Sequence, residues 1–189
     1  MTLRYVTHPE VVVDPAVPVP QWHLSERGLA RARALLDQPW IGATTRVVSS
    51  GEVKARQTAE VLAGHVGLDV EVREGTGELD RSVPGFLPPD EFEVVADACF
   101  ARPAESARGW EPAAAAQARI AGALADLVDG PDEVVVVGHG GVGTLWYCHL
   151  AGIAIDRRWD QPGQGHWFSV VDGRPTHHWR RIEDLAADR

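Results

Sequence analysis

Cysteine is scarce in this chain: 189 residues hold two, Cys99 and Cys148. That excludes a small secreted scaffold stapled by disulfides and predicts two reduced thiols in a cytoplasmic protein. No apolar run approaches the ~20 residues of a membrane span, so no membrane partner is expected. Met1–Val6 is too short and too polar to read as a signal peptide. Basic side chains are also few, 18 against 27 acidic, for a net charge of −9 and a pI of about 5.3. Binding to nucleic acid or to an anionic membrane wants a basic face, so neither is expected. A small anionic ligand in a locally basic pocket stays open. There is no G-x-S-x-G to go with His139-Gly140-Gly141, which removes the serine-esterase reading. No cluster of metal-ligand residues appears, so no metal and no other cofactor is expected. No repeat or linker divides the chain, and residues 1–189 read as one domain.

What is present is an ordinary globular composition, 44% hydrophobic and 24% charged, with a clear centre at Val134–Gly141, V-V-V-V-G-H-G-G. Four β-branched residues in a row show no polar face. They predict a strand buried on both sides, as in the middle of a parallel sheet. An apolar run at Val142–Leu150 predicts a helix after it. Ligands of open α/β sheets bind beyond the carboxyl ends of the strands, which is where His139 stands. Taken alone, His139 reads equally as a polar loop residue at a strand end.

The rest of the chain supplies the layers. Thr2–Thr7 predicts a first strand, stopped at His8-Pro9 because proline lacks a backbone donor. Leu24-Ser25-Glu26-Arg27-Gly28 opens a helix with Ser25 as N-cap. Thr45–Ser49 predicts a second buried strand, Glu52–His65 a second helix and Leu68–Val72 a third strand. Helices are predicted at Asp90–Phe100 and Trp110–Val128. Asp172-Gly173 between Gly165–Val171 and Thr176–Arg180 is a hairpin signal. Ile182–Arg189 reads as a polar tail. The order predicts a three-layer α/β/α sandwich with a mostly parallel central sheet.

Two predicted strands end in histidine, His8 and His139. If those strands are neighbours, both imidazoles converge on one crevice. Such a pair suits phosphoryl transfer, one neutral ring acting as nucleophile and the other holding an oxygen. On these residues the chain resembles the histidine phosphatase superfamily, the phosphoglycerate mutase-like fold. The strand into Thr7-His8-Pro9 is similar to that family's strand into Arg-His-Gly. Leu24–Gly28 is similar to its Leu-Ser/Thr-x-x-Gly. Ser49-Ser50-Gly51-Glu52-Val53-Lys54-Ala55-Arg56-Gln57-Thr58-Ala59 follows Ser-Ser-Pro-x-x-Arg-Ala-x-Gln-Thr-Ala. Gly77-Glu78-Leu79 resembles the acidic segment, and Val134–Gly141 the strand into Gly-His-Gly-Gly.

The resemblance implies catalytic roles for three residues. His8 is expected as the nucleophile that becomes phosphohistidine. Glu78 is expected as the acid for the leaving oxygen and then the base for water, and His139 as the group that holds the phosphoryl oxygens. Lys54, Thr7, Ser50 and Gly140 are the expected phosphate contacts, and a small phosphorylated substrate or phosphate is the expected ligand. The departures sit on the phosphate grip. Thr7 and Lys54 stand where the family has arginines, and Pro9 where it has glycine. Arginine offers phosphate a planar fork; lysine is a point charge and threonine is neutral. Arg81, three residues after Glu78, is the one side chain to name as a compensator, and it reads equally as an ordinary surface arginine. Two functions follow: a phosphomonoester hydrolase with an altered phosphate grip, or a weakened or inactive member that binds a ligand or partner.

Overall fold

The computed structural model describes residues 2–185. Its centre is a sheet of seven strands: β1 (Leu3–Thr7), β2 (Arg46–Ser49), β3 (Val70–Val72), β4 (Val134–Gly138), β5 (His166–Val171), β6 (Arg174–Pro175) and β7 (Arg180–Arg181). The order is β3-β2-β4-β1-β5-β6, with β7 also on β5. The block β3-β2-β4-β1 is parallel, and β5 joins β1 antiparallel. The helices are α1 (Glu26–Ala34), α2 (Val53–Val66), α3 (Pro89–Ala101), α4 (Ala113–Val128) and α5 (Gly140–Ala151).

The valine run of β4 explains the layering. Val134 and Val136 pack with Ile120, Leu124 and Trp146 of α4 and α5. Val135 and Val137 point the other way, onto Ala55, Ala59 and Leu62 of α2. Strand side chains alternate between faces, so an unbroken apolar run needs helices on both. At about 1.5–3 kcal/mol for each fully buried valine, this one strand contributes as much as the net stability of a typical domain. A third cluster, from Leu79, Phe100, Trp110 and Leu145, ties α3 and the Glu78 loop to α4 and α5.

Local chemistry sets the element ends. Ser25 caps α1, its hydroxyl accepting from Gly28 N at 3.0 Å. The predicted Trp110 helix begins instead at Ala113. Glu111 precedes Pro112, and a residue before proline is pushed out of the helical region; Trp110 is buried beneath that turn. Asp172 and Gly173 both take positive φ, as a tight hairpin requires. The predicted return strand Thr176–Arg180 does not form as such: β6 lies before it and β7 begins at its last residue. The stretch between them leaves the sheet so that Trp179 packs on Tyr5 and Phe168. Ile182 is fully buried rather than part of a polar tail, and residues 186–189 of that tail lie outside the described residues. Among the described residues no helix is long and apolar enough to cross a membrane.

β4 enters the sheet between β1 and β2, although it follows β3 in sequence. The register sets Thr7 beside Gly138, so β1 and β4 end at the same level. This reversal of strand order opens a crevice at the carboxyl ends of the parallel strands.

Candidate active site

His8 and His139 are the first residues past β1 and β4. His8 N donates to Gly138 O at 3.1 Å, and the two rings sit edge to face with centroids 5.3 Å apart. The juxtaposition follows from sheet register alone. His8 Nδ1 lies 2.8 Å from Pro9 O. A carbonyl only accepts, so Nδ1 carries the proton and Nε2 keeps its lone pair. Burial, reinforced by His139, pushes the His8 pKa down to about 3, which leaves this ring neutral at neutral pH.

His139 is fully buried. Its Nε2 shares a hydrogen bond of 2.6 Å with Ser50 Oγ. Its backbone is clamped by Tyr5, whose hydroxyl donates to His139 O at 3.1 Å and accepts from His139 N at 3.0 Å. Burial also pushes the His139 pKa down, against the pull of nearby carboxylates. The Tyr5 clamp was not legible as a site feature; the residue reads in sequence as one more strand position.

Glu78 arrives on the irregular segment between β3 and α3. Its carboxylate accepts from three backbone N–H groups: Leu79 at 3.0 Å, Gly141 at 3.0 Å and Val142 at 2.8 Å. Two of these donors open α5, where a helix presents unpaired N–H groups to anions. A Cβ on Gly141 would stand 2.8 Å from Glu78 Oε1, so glycine is what lets the carboxylate approach. The loop is held from behind by Arg119 of α4, which donates to the carbonyls of Gly75, Gly77 and Glu78 and pairs with Glu111. Arg119 lies far from the motifs, and no sequence signal marks it.

Lys54 is nearly sealed from solvent. Its ammonium donates to Val19 O at 2.9 Å and is paired with Glu52. Glu52 precedes α2 as its N-cap residue. One of its oxygens accepts from Glu78 N at 2.9 Å and lies 3.4 Å from His139 Nε2. Burial would raise its pKa, but His139, Lys54 and the Glu78 N–H outweigh that and hold it at about 2. A carboxylate thus sits within the predicted phosphate grip, at a motif position that sequence reading passes over as variable.

Thr7 is fully buried and its hydroxyl is engaged. It donates to Gln161 Oε1 at 2.7 Å and accepts from His166 N at 2.9 Å. Gln161 fills the space beside Thr7 and lies against Gly140, where a Cβ would meet its Nε2 at 2.2 Å. Asp160 orients this segment, accepting from Thr144 Oγ1 at 2.9 Å and from Gln161 N at 2.8 Å.

These groups open into a cleft of about 630 Å³ lined by His8, Lys54, Glu78, Gly140 and Gln161. His139, Ser50 and Thr7 lie behind that lining. The walls are apolar, with Val11, Val19, Trp22, Phe86, Phe92 and Trp110. Arg81 also lines it, stacked over the rings of Phe92 and Trp110 at 5.1 and 5.4 Å. Among the described residues it pairs with no carboxylate, whereas Arg157, also in the lining, is tied to Glu93, Asp97 and Asp160. Among the described residues no group of His, Cys, Asp and Glu is arranged to hold a metal ion.

Residues 18–183 match the family model of the histidine phosphatase superfamily (branch 1), a span that contains Lys54, Glu78 and His139. No curated protein sequence matches the chain. Among solved structures, the native mycobacterial glucosyl-3-phosphoglycerate phosphatase is similar at 22% identity and TM-score 0.74, covering 89% of this chain and 88% of that one. Phosphoserine phosphatase from Entamoeba histolytica, in complex with 3-phosphoglyceric acid, is 18% identical with TM-score 0.77, covering 95% and 96%. The alpha-ribazole phosphatase from Shigella flexneri is 18% identical with TM-score 0.69 over the full length of both chains. At these identities the likeness is one of fold.

Proposed function

Because the chain belongs to the histidine phosphatase superfamily, we propose that it is a phosphomonoester hydrolase working through a phosphohistidine at His8. The observation that carries this reading is the imidazole pair: His8 is neutral, with Nδ1–H fixed on Pro9 O and Nε2 free beside His139. Nε2 attacks the phosphorus while His139 and the N–H of Gly140 take the phosphoryl oxygens. Glu78, on the cleft wall, gives the leaving oxygen its proton and later takes one from water. Arg81, on the cleft wall, supplies positive charge, while the Lys54 ammonium is shared with Glu52. The apolar wall of Trp22, Phe86, Phe92 and Trp110 favours an ester with a bulky apolar body. Loss of a charged hydrogen bond worth about 1.5–3 kcal/mol in the transition state makes turnover ~10- to 100-fold slower than an arginine-gripped site would give.

The test is hydrolysis of an aryl phosphate by wild type and His8→Ala, with trapping of the phosphoenzyme. An acid-labile, base-stable phosphoryl group on wild type alone supports the reading. Equal rates for the two proteins would refute it.

The Glu52–Lys54 pair and the engaged Thr7 hydroxyl favour a second reading, a weakened member that binds its ligand without turnover. Under that reading wild type forms no phosphoenzyme. Thr7→Arg, combined with Gln161→Gly to clear the space beside it, then restores activity.

A further inference from the structure

We propose that this pocket accepts a singly charged anionic head group in preference to a dianion, and that Glu52 is the residue that sets the preference. The proposal rests on the functional reading only for where the head group sits, between His8, His139 and Lys54.

A phosphoryl dianion needs fixed positive charge opposite it, and arginine forks or a free ammonium are the usual source. Here the ammonium of Lys54 is already neutralised. It is 3% exposed, paired with Glu52 and donating to Val19 O. The Glu52 carboxylate has a side-chain exposure of 13% and bridges from Lys54 to within 3.4 Å of His139 Nε2. The same oxygen holds Glu78 N at 2.9 Å, so the carboxylate is built into the site rather than swinging at its rim. Burial pushes the pKa values of both neighbouring imidazoles, His8 and His139, downwards, so neither is a ready replacement for the Lys54 ammonium. The pair of Lys54 and Glu52 therefore carries no net charge, and Arg81, which pairs with no carboxylate among the described residues, stands at the wall of the cleft.

Against that balance, the second charge of a dianion faces a buried carboxylate with no matching cation. Like charges about 4–6 Å apart at an effective dielectric near 20 repel by about 3–4 kcal/mol, which weakens binding by roughly 100- to 1,000-fold. A phosphomonoester meets the requirement by entering with its second proton still attached, which leaves at about pH 6 when free. An ester with one ionisable oxygen meets it at any pH.

The probes are phenylphosphonate and its O-methyl monoester, two non-hydrolysed ligands with the same body. At mildly alkaline pH they carry two charges and one. Calorimetric titration of the full chain is expected to show the monoester binding at least as tightly as the dianion. In Glu52→Gln the dianion should gain about tenfold or more while the monoester changes little. In Glu52→Gln/Lys54→Met that gain should disappear. A wild-type protein that prefers the dianion, an unchanged ratio in Glu52→Gln, or binding of neither ligand overturns the proposal. The wild-type ratio decides before any variant is made, so a poorly folded variant does not shield it. The hydrolase reading fails separately, by the absence of His8-dependent turnover.

Discussion

Replacing Tyr5 by phenylalanine removes one oxygen from the centre of the protein and tests what positions His139. The Tyr5 hydroxyl makes two bonds to the His139 backbone, accepting from its N–H and donating to its carbonyl. The carbonyl has a second partner, Gly143 N at 3.1 Å, so it stays paired in the variant. The N–H does not, and it is buried. One orphaned donor, not two, sets the magnitude: about 1–3 kcal/mol. Ring packing against Trp146, Phe168 and Trp179 is retained, so no cavity adds to it. For a domain of this size 1 kcal/mol lowers Tm by roughly 2–4 °C, which predicts a fall of about 2–12 °C. Thermal unfolding followed by circular dichroism, with urea unfolding to check that the m-value is unchanged, measures it. A Tm within about 1 °C of wild type would refute the claim that the hydroxyl is the sole partner of that N–H.

Gly141→Ala sets a Cβ 2.8 Å from Glu78 Oε1 and 2.7 Å from Leu79 Cδ1. It should displace the carboxylate, cost about 1–3 kcal/mol of stability and lower kcat more than it raises KM, as steady-state kinetics and denaturation together would report. Arg119→Met removes the three carbonyl contacts behind the Glu78 loop. Amide exchange should rise in residues 74–80 while β1 and β4 stay protected; uniform exchange across the sheet would contradict a local role. Acid should destabilise the protein from about pH 6.5 downwards. His8 takes a proton at about 3 in the folded chain, against an ordinary 6.5 when unfolded, so between those values the unfolded state binds the extra proton. Stability falls as pH falls, by at most about 1.4 kcal/mol per unit for this group. The downward shift of His139 acts in the same direction. Urea titrations at neutral and mildly acid pH should show a steep slope that His8→Asn makes shallower.

Much of the fold was legible because it rests on local patterns. The run Val134–Val137 has no polar face, and such a strand is stable only with helices on both sides. The Ser25 cap and the Asp172-Gly173 turn were readable for the same reason, since each depends on two or three adjacent residues. The return strand failed because the burial of Trp179 against Tyr5 and Phe168 outweighs continuous pairing, and that preference is tertiary.

The site divides in the same way. His8, Glu78, His139 and Lys54 each stand in a recognisable local setting, and strand register then brings the two imidazoles together. By itself the sequence determined the layers, the ends of β1, β2 and β4 and the side chains that gather there. Only the tertiary structure decided how they are tuned. Glu52 neutralises Lys54, Gln161 takes the space beside Thr7, Tyr5 clamps His139 and Arg119 braces the Glu78 loop. Glu52 lies only two residues from Lys54, but that they meet, and that the other three side chains reach their partners from distant parts of the chain, depends on how the chain folds. That is a matter of distance and burial in three dimensions, and no spacing along the chain encodes it.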